Sequence, residues 1–552
     1  MKRCPKCRRD YYDDSLIYCL DDGASLVDGP SAGGNPSENP TKIHGLEADK
    51  EPATVIMDRP VSEAGDTRSS KRWFVLAAAV AIIVTASASA IYYFQNRTGS
   101  DPAIRSVAVL PLDNLSGDAS QEFFADGMTE ALIGNLSQVR AIKVISRTSV
   151  MRYKRSGKSI PEIARELGVD GVIEGSVQRS DGRVRVTAQL IHAATDSPIW
   201  SRSYERNISD ILMLQSEIAQ ALVSEISAQL SPREQQRLGR TKPIDPAATE
   251  ALLLGWHYLH KWTRESERLA VEHLQKAVTI EPEYAEAWAA LADAWQVRSM
   301  VGDVGVKEAE QPARTAALKA LELEPDTSAA HVSMCFIYNN YDFNWTDGER
   351  ACRRGIELGP NNAKAHFAYA YMLARLGRWD EMSANMEKAM QLDPAEPWWP
   401  SVYGSFLIQA RRFQEAEKRI QRAIAIDPEW APAYRDLIDL HVETGRFDEA
   451  LNLAAERGLS DPLTLSYIYA RKGDRQKASE LLESAPKDDL YDLALAYAAL
   501  DDLDRAFEVI NRSLDRGEGF MFGHGNYLVL DRLKTDPRWN DVLKRMNLPQ
   551  KQ

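Results

Sequence analysis

A proline recurs in the carboxy-terminal half with a fixed beat: Pro360, Pro394, Pro428 and Pro462 stand 34 residues apart, and Pro325 precedes the first by 35. A period of that length marks one supersecondary unit copied along the chain, because a single copy cannot bury its apolar face alone. Small residues keep the same beat. Ala277, Ala320, Ala389 and Ala423 each lie five residues before a proline, and Ala270, Ala416, Ala450 and Ala478 mark a second small site. Alanine there lets neighbouring helices approach closely, while Gly377, Gly445 and Gly473 fall where a tight turn joins two helices. The pattern predicts an all-α superhelix over residues 251–520 with about eight repeats. The second repeat is lengthened around Gly302–Gly305, and the end is covered by a cap over 521–552 with a helix at Asp536–Met546.

This arrangement resembles the tetratricopeptide repeat family. The resemblance implies a concave face lined by the first helix of each repeat, and it puts Lys364, Phe367, Tyr371, Trp398, Arg435, Asp439, Tyr467 and Tyr491 on or near that face. Rigid aromatics and arginine are the usual anchors of protein recognition, so a protein partner is expected there. Ordinary packing between repeats is the competing explanation for each of them. The Lys and Asn set with which some members hold a terminal carboxylate is not evident. Cys335 and Cys352 fall on the first and second helices of the third repeat. They either pair or pack as small hydrophobes.

Residues 73–94, WFVLAAAVAIIVTASASAIYYF, hold no charged side chain. At about 1.5 Å per residue such a helix spans the roughly 30 Å hydrocarbon layer, and Trp73, Tyr92 and Tyr93 stand where rings prefer the headgroup level. Arg68, Lys71 and Arg72 crowd one flank and Arg97 stands on the other. The positive-inside bias therefore predicts a single-pass protein of a bacterial inner membrane, with its amino terminus in the cytoplasm and everything after the helix outside. The stretch before it, 28–70, is rich in Gly, Pro, Ser and acid, and reads as a disordered linker.

After the apolar segment the pattern alternates between strand and helix. SVAVLPL (106–112) and IKVISR (142–147) read as strands; 122–136 and 159–167 read as helices, the latter capped by Ser159 ahead of Pro161 and Glu162. Two alternating runs joined by Asp181-Gly182 predict a hairpin, 199–206 a further strand, and 211–230 a closing helix. In order, VAVLPLDNLSGDASQEFFADGMTEALIGNLS, VISRTSVMRYK, IPEIARELGVDGVIEGSVQR and WSRSYER resemble the domain related to the amino-terminal part of TolB, over residues 104–230. The resemblance implies a small α/β domain that follows a membrane helix and precedes tetratricopeptide repeats, on chains whose cytoplasmic piece varies among DNA-binding domains, kinases and cyclases. Within it, Asp126-Gly127 is placed at the mouth of the first helix, where Asp126 either caps it or helps hold an anion.

At the amino terminus Cys4-Pro5-Lys6-Cys7, then Cys19 and Asp22, follow zinc-ribbon spacing except that the last ligand is a carboxylate. The stretch 1–27 resembles the short bacterial zinc-ribbon family, and the resemblance implies a zinc ion held by Cys4, Cys7 and Cys19. Asp22 completes the set, or the ribbon is a degenerate one that holds no metal.

A net charge of −13 argues against a protein whose bulk binds nucleic acid, and leaves only the basic run Lys2, Arg3, Lys6, Arg8 and Arg9 of the ribbon as a local contact. No phosphate loop, His-Glu-x2-His or nucleophile elbow occurs. His257 and His260 lack a third ligand at a matching spacing, and surface placement is expected for them. The sequence thus predicts a multidomain, non-enzymatic protein: zinc ribbon, membrane helix, small α/β domain and repeat superhelix. It acts either as a membrane-anchored scaffold for a protein partner or as a transmembrane signal transducer whose ribbon meets cytoplasmic protein or DNA.

Overall fold

The computed structural model describes residues 104–548 other than 181, 227–229, 240–243, 260 and 518–529, together with the backbone of three short strands near the amino terminus. Two compact units, Met1–Arg97 and Thr98–Gln552, make up the chain. In the first, β1 (Lys2–Arg3) pairs antiparallel with β2 (Asp10–Tyr11) on one side and β3 (Val27–Asp28) on the other. Cys4, Cys7, Cys19 and Asp22, the linker 29–70 and the apolar stretch 73–94 lie outside the described residues. Among the described residues no helix is long and apolar enough to cross a membrane.

The second unit opens with a small mixed sheet. Its strands are β4 (Ser106–Val109), β5 (Asp113–Asn114), β6 (Lys143–Val144), β7 (Gly171–Ser180), β8 (Arg183–His192) and β9 (Ser197–Asn207). They run in the order β6-β4-β7-β8-β9, with β5 beside β7. β4 is buried along its whole length and lies parallel to β6 and β7, as a continuous apolar run requires. β7 and β8 form the expected hairpin in register from Gly171↔His192 to Ser180↔Arg183, and Gly182 supplies the positive φ of +76° at the turn. Val184, Val186, Ala188 and Leu190 are fully buried, while Arg183 and Arg185 between them face water, the period-two signature of a half-covered sheet.

Helices α1 (Glu122–Ser137), α2 (Arg147–Met151), α3 (Ile160–Leu167), α4 (Ile211–Glu225) and α5 (Pro232–Leu238) accompany this sheet. The capping box of α3 is as expected, Ser159 N–H donating to Glu162 at 2.9 Å. Three expectations differ. The strand at 142–147 shrinks to two residues, because Ser146 N–H donates not to the sheet but to the Leu392 carbonyl at 2.8 Å, and the chain turns into α2. The closing helix stops at Glu225. Asp126-Gly127 does not stand at a helix mouth: α1 begins at Glu122, so its free N–H groups lie a turn earlier, beyond the reach of Asp126. Asp118 caps the short turn Ala119–Gln121 that leads into α1, accepting Ser120 N–H at 2.8 Å.

Sixteen helices then follow as eight antiparallel pairs among the described residues. They are α6 (Pro246–Tyr258) with α7 (Arg264–Ile280), α8 (Ala285–Met300) with α9 (Val306–Leu323), α10 (Ser328–Ile337) with α11 (Trp345–Leu358), and α12 (Ala363–Arg375) with α13 (Trp379–Leu392). The rest are α14 (Trp398–Gln409) with α15 (Phe413–Ile426), α16 (Ala431–Glu443) with α17 (Phe447–Glu456), α18 (Pro462–Lys472) with α19 (Arg475–Ser484), and α20 (Leu490–Ala499) with α21 (Leu503–Arg516). All eight alanines singled out by phase are fully buried. Gly377, Gly445 and Gly473 have φ of +68°, +77° and +100° in the turns within a pair, and Arg411 and Asp501 take the same place at +60° and +62°. A side chain there costs about 1 kcal/mol relative to glycine. The repeats are also tied by polar contacts at the same period: Arg378, Arg412 and Arg446 reach back to Glu349 (3.0 Å), Ser383 (3.2 Å) and Glu417 (3.0 Å) in the preceding pair.

Two short helices, α22 (Leu530–Thr535) and α23 (Arg538–Arg545), cover the end. They do more than cap. The Trp345 indole, at the start of α11, donates to the carbonyls of Met546 (3.2 Å) and Asn547 (2.9 Å), and Arg411 pairs with Asp531 at 2.5 Å. The end of the chain therefore meets the third and fifth repeats as well as the last one.

Candidate functional site

The first helices of repeats three to five carry a continuous aromatic cluster. Phe367 on α12 lies 6.1 Å from Phe336 of α10 and 5.0 Å from Trp399 of α14, centroid to centroid. Tyr371, one turn on, meets Phe336 at 6.2 Å, Phe367 at 5.8 Å and Phe406 at 6.0 Å. Tilted rings at such distances attract beyond their burial. Arg375 covers the Tyr371 ring at 4.1 Å and bonds its hydroxyl, and donates to the Asn339 carbonyl at 3.0 Å. Lys364 pairs with Asp293 of α8, and Trp398 stacks on Trp262, from the turn of the first repeat, at 5.7 Å. Phe367 is buried, while Lys364, Tyr371 and Trp398 are half-buried.

The other four residues belong to a carboxylate-rich set on repeats six to eight. Tyr467 is buried and donates to Glu443 at 3.0 Å, which also takes Arg471 at 2.6 Å. Arg435 is exposed and stands 3.8 Å from Asp461; Asp439 and Tyr491 are half-buried. Burial, with Asp489 adding to it and Arg435 opposing, pushes the Asp492 carboxyl up to about 7. Asp436 accepts the Ser401 hydroxyl at 2.5 Å, and burial pushes its carboxyl up to about 7 against that single bond. A carboxyl raised in the folded state is a stability cost that grows as pH climbs from the unfolded value of 3.8 to about 7. Asp436→Asn keeps the acceptor and removes the charge. Its melting temperature is expected to match that of the parent more closely at pH 5 and to exceed it by several degrees at pH 8, a gain of roughly 1–2 kcal/mol after discounting for partial exposure.

The turns that carry the periodic prolines form a second surface, and the α/β sheet region sits on it. Asn361, beside Pro360, is buried and donates through Nδ2 to the carbonyls of Val139 (2.9 Å) and Ile142 (2.8 Å). Arg237 of α5 donates to the Leu358 carbonyl at 3.1 Å. Ser149 of α2 donates to Asp393 at 2.5 Å and accepts the Ala395 N–H at 2.9 Å, while Arg152 reaches the carbonyls of Ala395 and Ile426. Residue phase could not have found these contacts, since the partners lie more than 100 positions away.

The FADGM stretch belongs to this junction. Asp126 is buried, bonded by Lys154 at 2.5 Å and by His257 of α6 at 3.1 Å; Lys261 follows at 2.9 Å from the other ring nitrogen. Burial works against ionising Asp126, but the His257 and Lys154 bonds outweigh it and lower its pKa. A Cβ on Gly127 would come within 2.8 Å of the Leu253 Cβ, so the missing side chain is what lets α1 lie against α6. His257 is thus a half-buried junction residue rather than a surface one; His260 lies outside the described residues. Among the described residues no group of three His, Cys, Asp or Glu is placed to hold a metal ion.

Cys335 and Cys352 are joined in a disulfide between the helices of the third repeat, with Cα atoms 5.0 Å apart, resolving the two readings of these cysteines in favour of pairing. Both are fully buried, and the Asn339 amide lies 3.4 and 3.7 Å from their sulfurs.

A tetratricopeptide repeat model matches residues 407–467, so the chain carries tetratricopeptide repeats. It is 37% identical over 191 residues to the Rhizobium meliloti (strain 1021) protein named "Putative adenylate cyclase 3", a match covering 35% of this chain and 32% of that one. It is 21% identical over 295 residues to the transcriptional regulator HilA of Salmonella typhimurium, covering 53% of this chain and 52% of that one. The chain therefore spans about a third and about half of these two relatives. Among solved structures, YrrB, described as a TPR protein with an unusual peptide-binding site, shares 19% identity over 34% of this chain and 89% of that one, with a TM-score of 0.25.

Proposed function

We propose that this protein is a membrane-anchored, non-enzymatic scaffold whose repeat array holds a protein partner outside the cytoplasm. Tetratricopeptide repeats are in general protein-interaction scaffolds, and the array is the observation that carries the reading. The anchor is the uncharged stretch 73–94, and the basic flank at Arg68, Lys71 and Arg72 favours an outward array. The Cys335–Cys352 bond supports the same placement, because structural disulfides persist in oxidising compartments and are rare in the cytosol. The sheet region at 106–207, which we read as the TolB amino-terminal-like domain, braces the proline edge of the array. The partner's segment is held by the exposed parts of the inner face, with Tyr371, Trp398, Arg435 and Tyr491 as anchors and Lys364, Phe367, Asp439 and Tyr467 shaping the surface beneath them. Three thiolates, Cys4, Cys7 and Cys19, with the Asp22 carboxylate would hold zinc in the ribbon; its loss on Asp22→Ala, measured on the whole protein, tests that set.

A second reading is favoured by the names of two partial relatives, one a cyclase and one a transcriptional regulator. In a signal transducer the outer unit receives the stimulus and the ribbon acts on cytoplasmic protein or DNA. Deletion of residues 1–70 separates the two. A scaffold still retains its partner and the phenotype that depends on it, whereas a transducer retains the partner but loses its output. Failure of the array to retain any protein in cross-linked membranes contradicts both.

A further inference from the structure

The seam between the sheet region and the repeats buries two carboxylic acids. Asp393 is 2% exposed and Glu396 9%, both in the turn between the fourth and fifth repeats, against residues 146–152. Their donors are neutral: the Ser149 hydroxyl (2.5 Å) and the Trp399 indole (3.0 Å) on Asp393, the Trp398 N–H (3.0 Å) on Glu396. Arg152, the cation facing them, directs its terminal nitrogens at the carbonyls of Ala395 (2.7 Å) and Ile426 (3.0 Å). Asp427 faces the same site and adds negative charge. A buried carboxylate without a cation bonded to it is disfavoured in its charged form, so such a site favours the protonated acid.

We infer that this seam is an acid-stabilised latch: protonated Asp393 and Glu396 let α2 clamp onto the turn, and loss of those protons as the medium becomes less acidic releases it. Burial, then repulsion from Asp393, pushes Glu396 up to about 7 against the Trp398 N–H and Arg152; burial also raises Asp393, against the Ser149 and Trp399 bonds. The sign follows. The docked state binds more protons than the undocked one, so docking is strongest in acid and weakens as pH rises from about 4.5 to about 7. The bistable element is short: only Ser146, Ser149 and Arg152 reach across at this turn among the described residues, and α2 has five residues. Release of α2 would leave the Asn361 contacts in place, so the sheet region stays tethered at the neighbouring turn while this corner opens.

The test is hydrogen exchange on the full-length protein in detergent, corrected for the intrinsic pH dependence of amide exchange. Protection of peptides covering 146–152 is expected to fall at least tenfold between pH 5.5 and 8 in the parent, and by less than threefold in E396Q with D393N. Peptides from 137–145 report the Asn361 turn and should hold level throughout. If the double variant does not fold, E396Q alone, which keeps the acceptor for the Trp398 N–H, should still reduce the fall. Level protection in the parent, or an equal fall in the neutralised variants, overturns the latch.

Discussion

Asn361→Ala is expected to loosen the sheet region from the array more than any other single change at the proline edge. The side chain is 7% exposed, and its amide serves the Val139 and Ile142 carbonyls together, at 2.9 and 2.8 Å. Truncation leaves both acceptors buried without a partner. At about 1–3 kcal/mol for each of the two orphaned groups, the loss is roughly 2–6 kcal/mol. Hydrogen exchange should show it locally: protection across 137–145 falls about a hundredfold while the last repeats are unchanged. Asn361→Asp should be at least as damaging, since it replaces a donor by an acceptor facing two acceptors. Unchanged protection in both would mean that the sheet region is held by its apolar contacts alone.

Replacing Cys335 and Cys352 together by alanine is the second large effect. The bond closes a loop between residues 17 apart. Constraining a loop of that size contributes about 3 kcal/mol, chiefly by restricting the unfolded chain. Protection over Ser328–Leu358 should fall by about two orders of magnitude and the melting temperature by several degrees, with the same shift on reducing the parent after partial unfolding. Because the sulfurs are buried, reductant without denaturant should act slowly. A variant as stable as the parent would show that the cysteines serve only as packed small residues.

What the sequence could and could not disclose follows from how each contact repeats. The array was legible because its turns, alanines and glycines recur at a period that helix packing imposes, and the fully buried Ala277, Ala320, Ala389 and Ala423 are the direct result. The β7–β8 hairpin was legible because alternation and an Asp-Gly pair are local signals. Asp126 and Asn361 were not: each is explained by a residue more than 100 positions away, and nothing in the neighbouring sequence announces that partner. For the inner face the sequence offers only a set of candidate positions. An aromatic on a first helix has the same phase whether it meets a partner or the next repeat, and Phe367 and Tyr467 are largely taken up by their neighbours. The end of the chain also meets the array through Trp345 and Arg411, contacts that no periodic pattern could reveal.

The central claim is a single crossing of the membrane with the repeats on the outside. Protease added to intact spheroplasts, with epitopes at the two ends of the chain, addresses it most directly. The account expects the carboxy-terminal epitope to be lost before permeabilisation while a small amino-terminal fragment ending near residue 97 survives. Survival of the carboxy-terminal unit until the membrane is opened would contradict it.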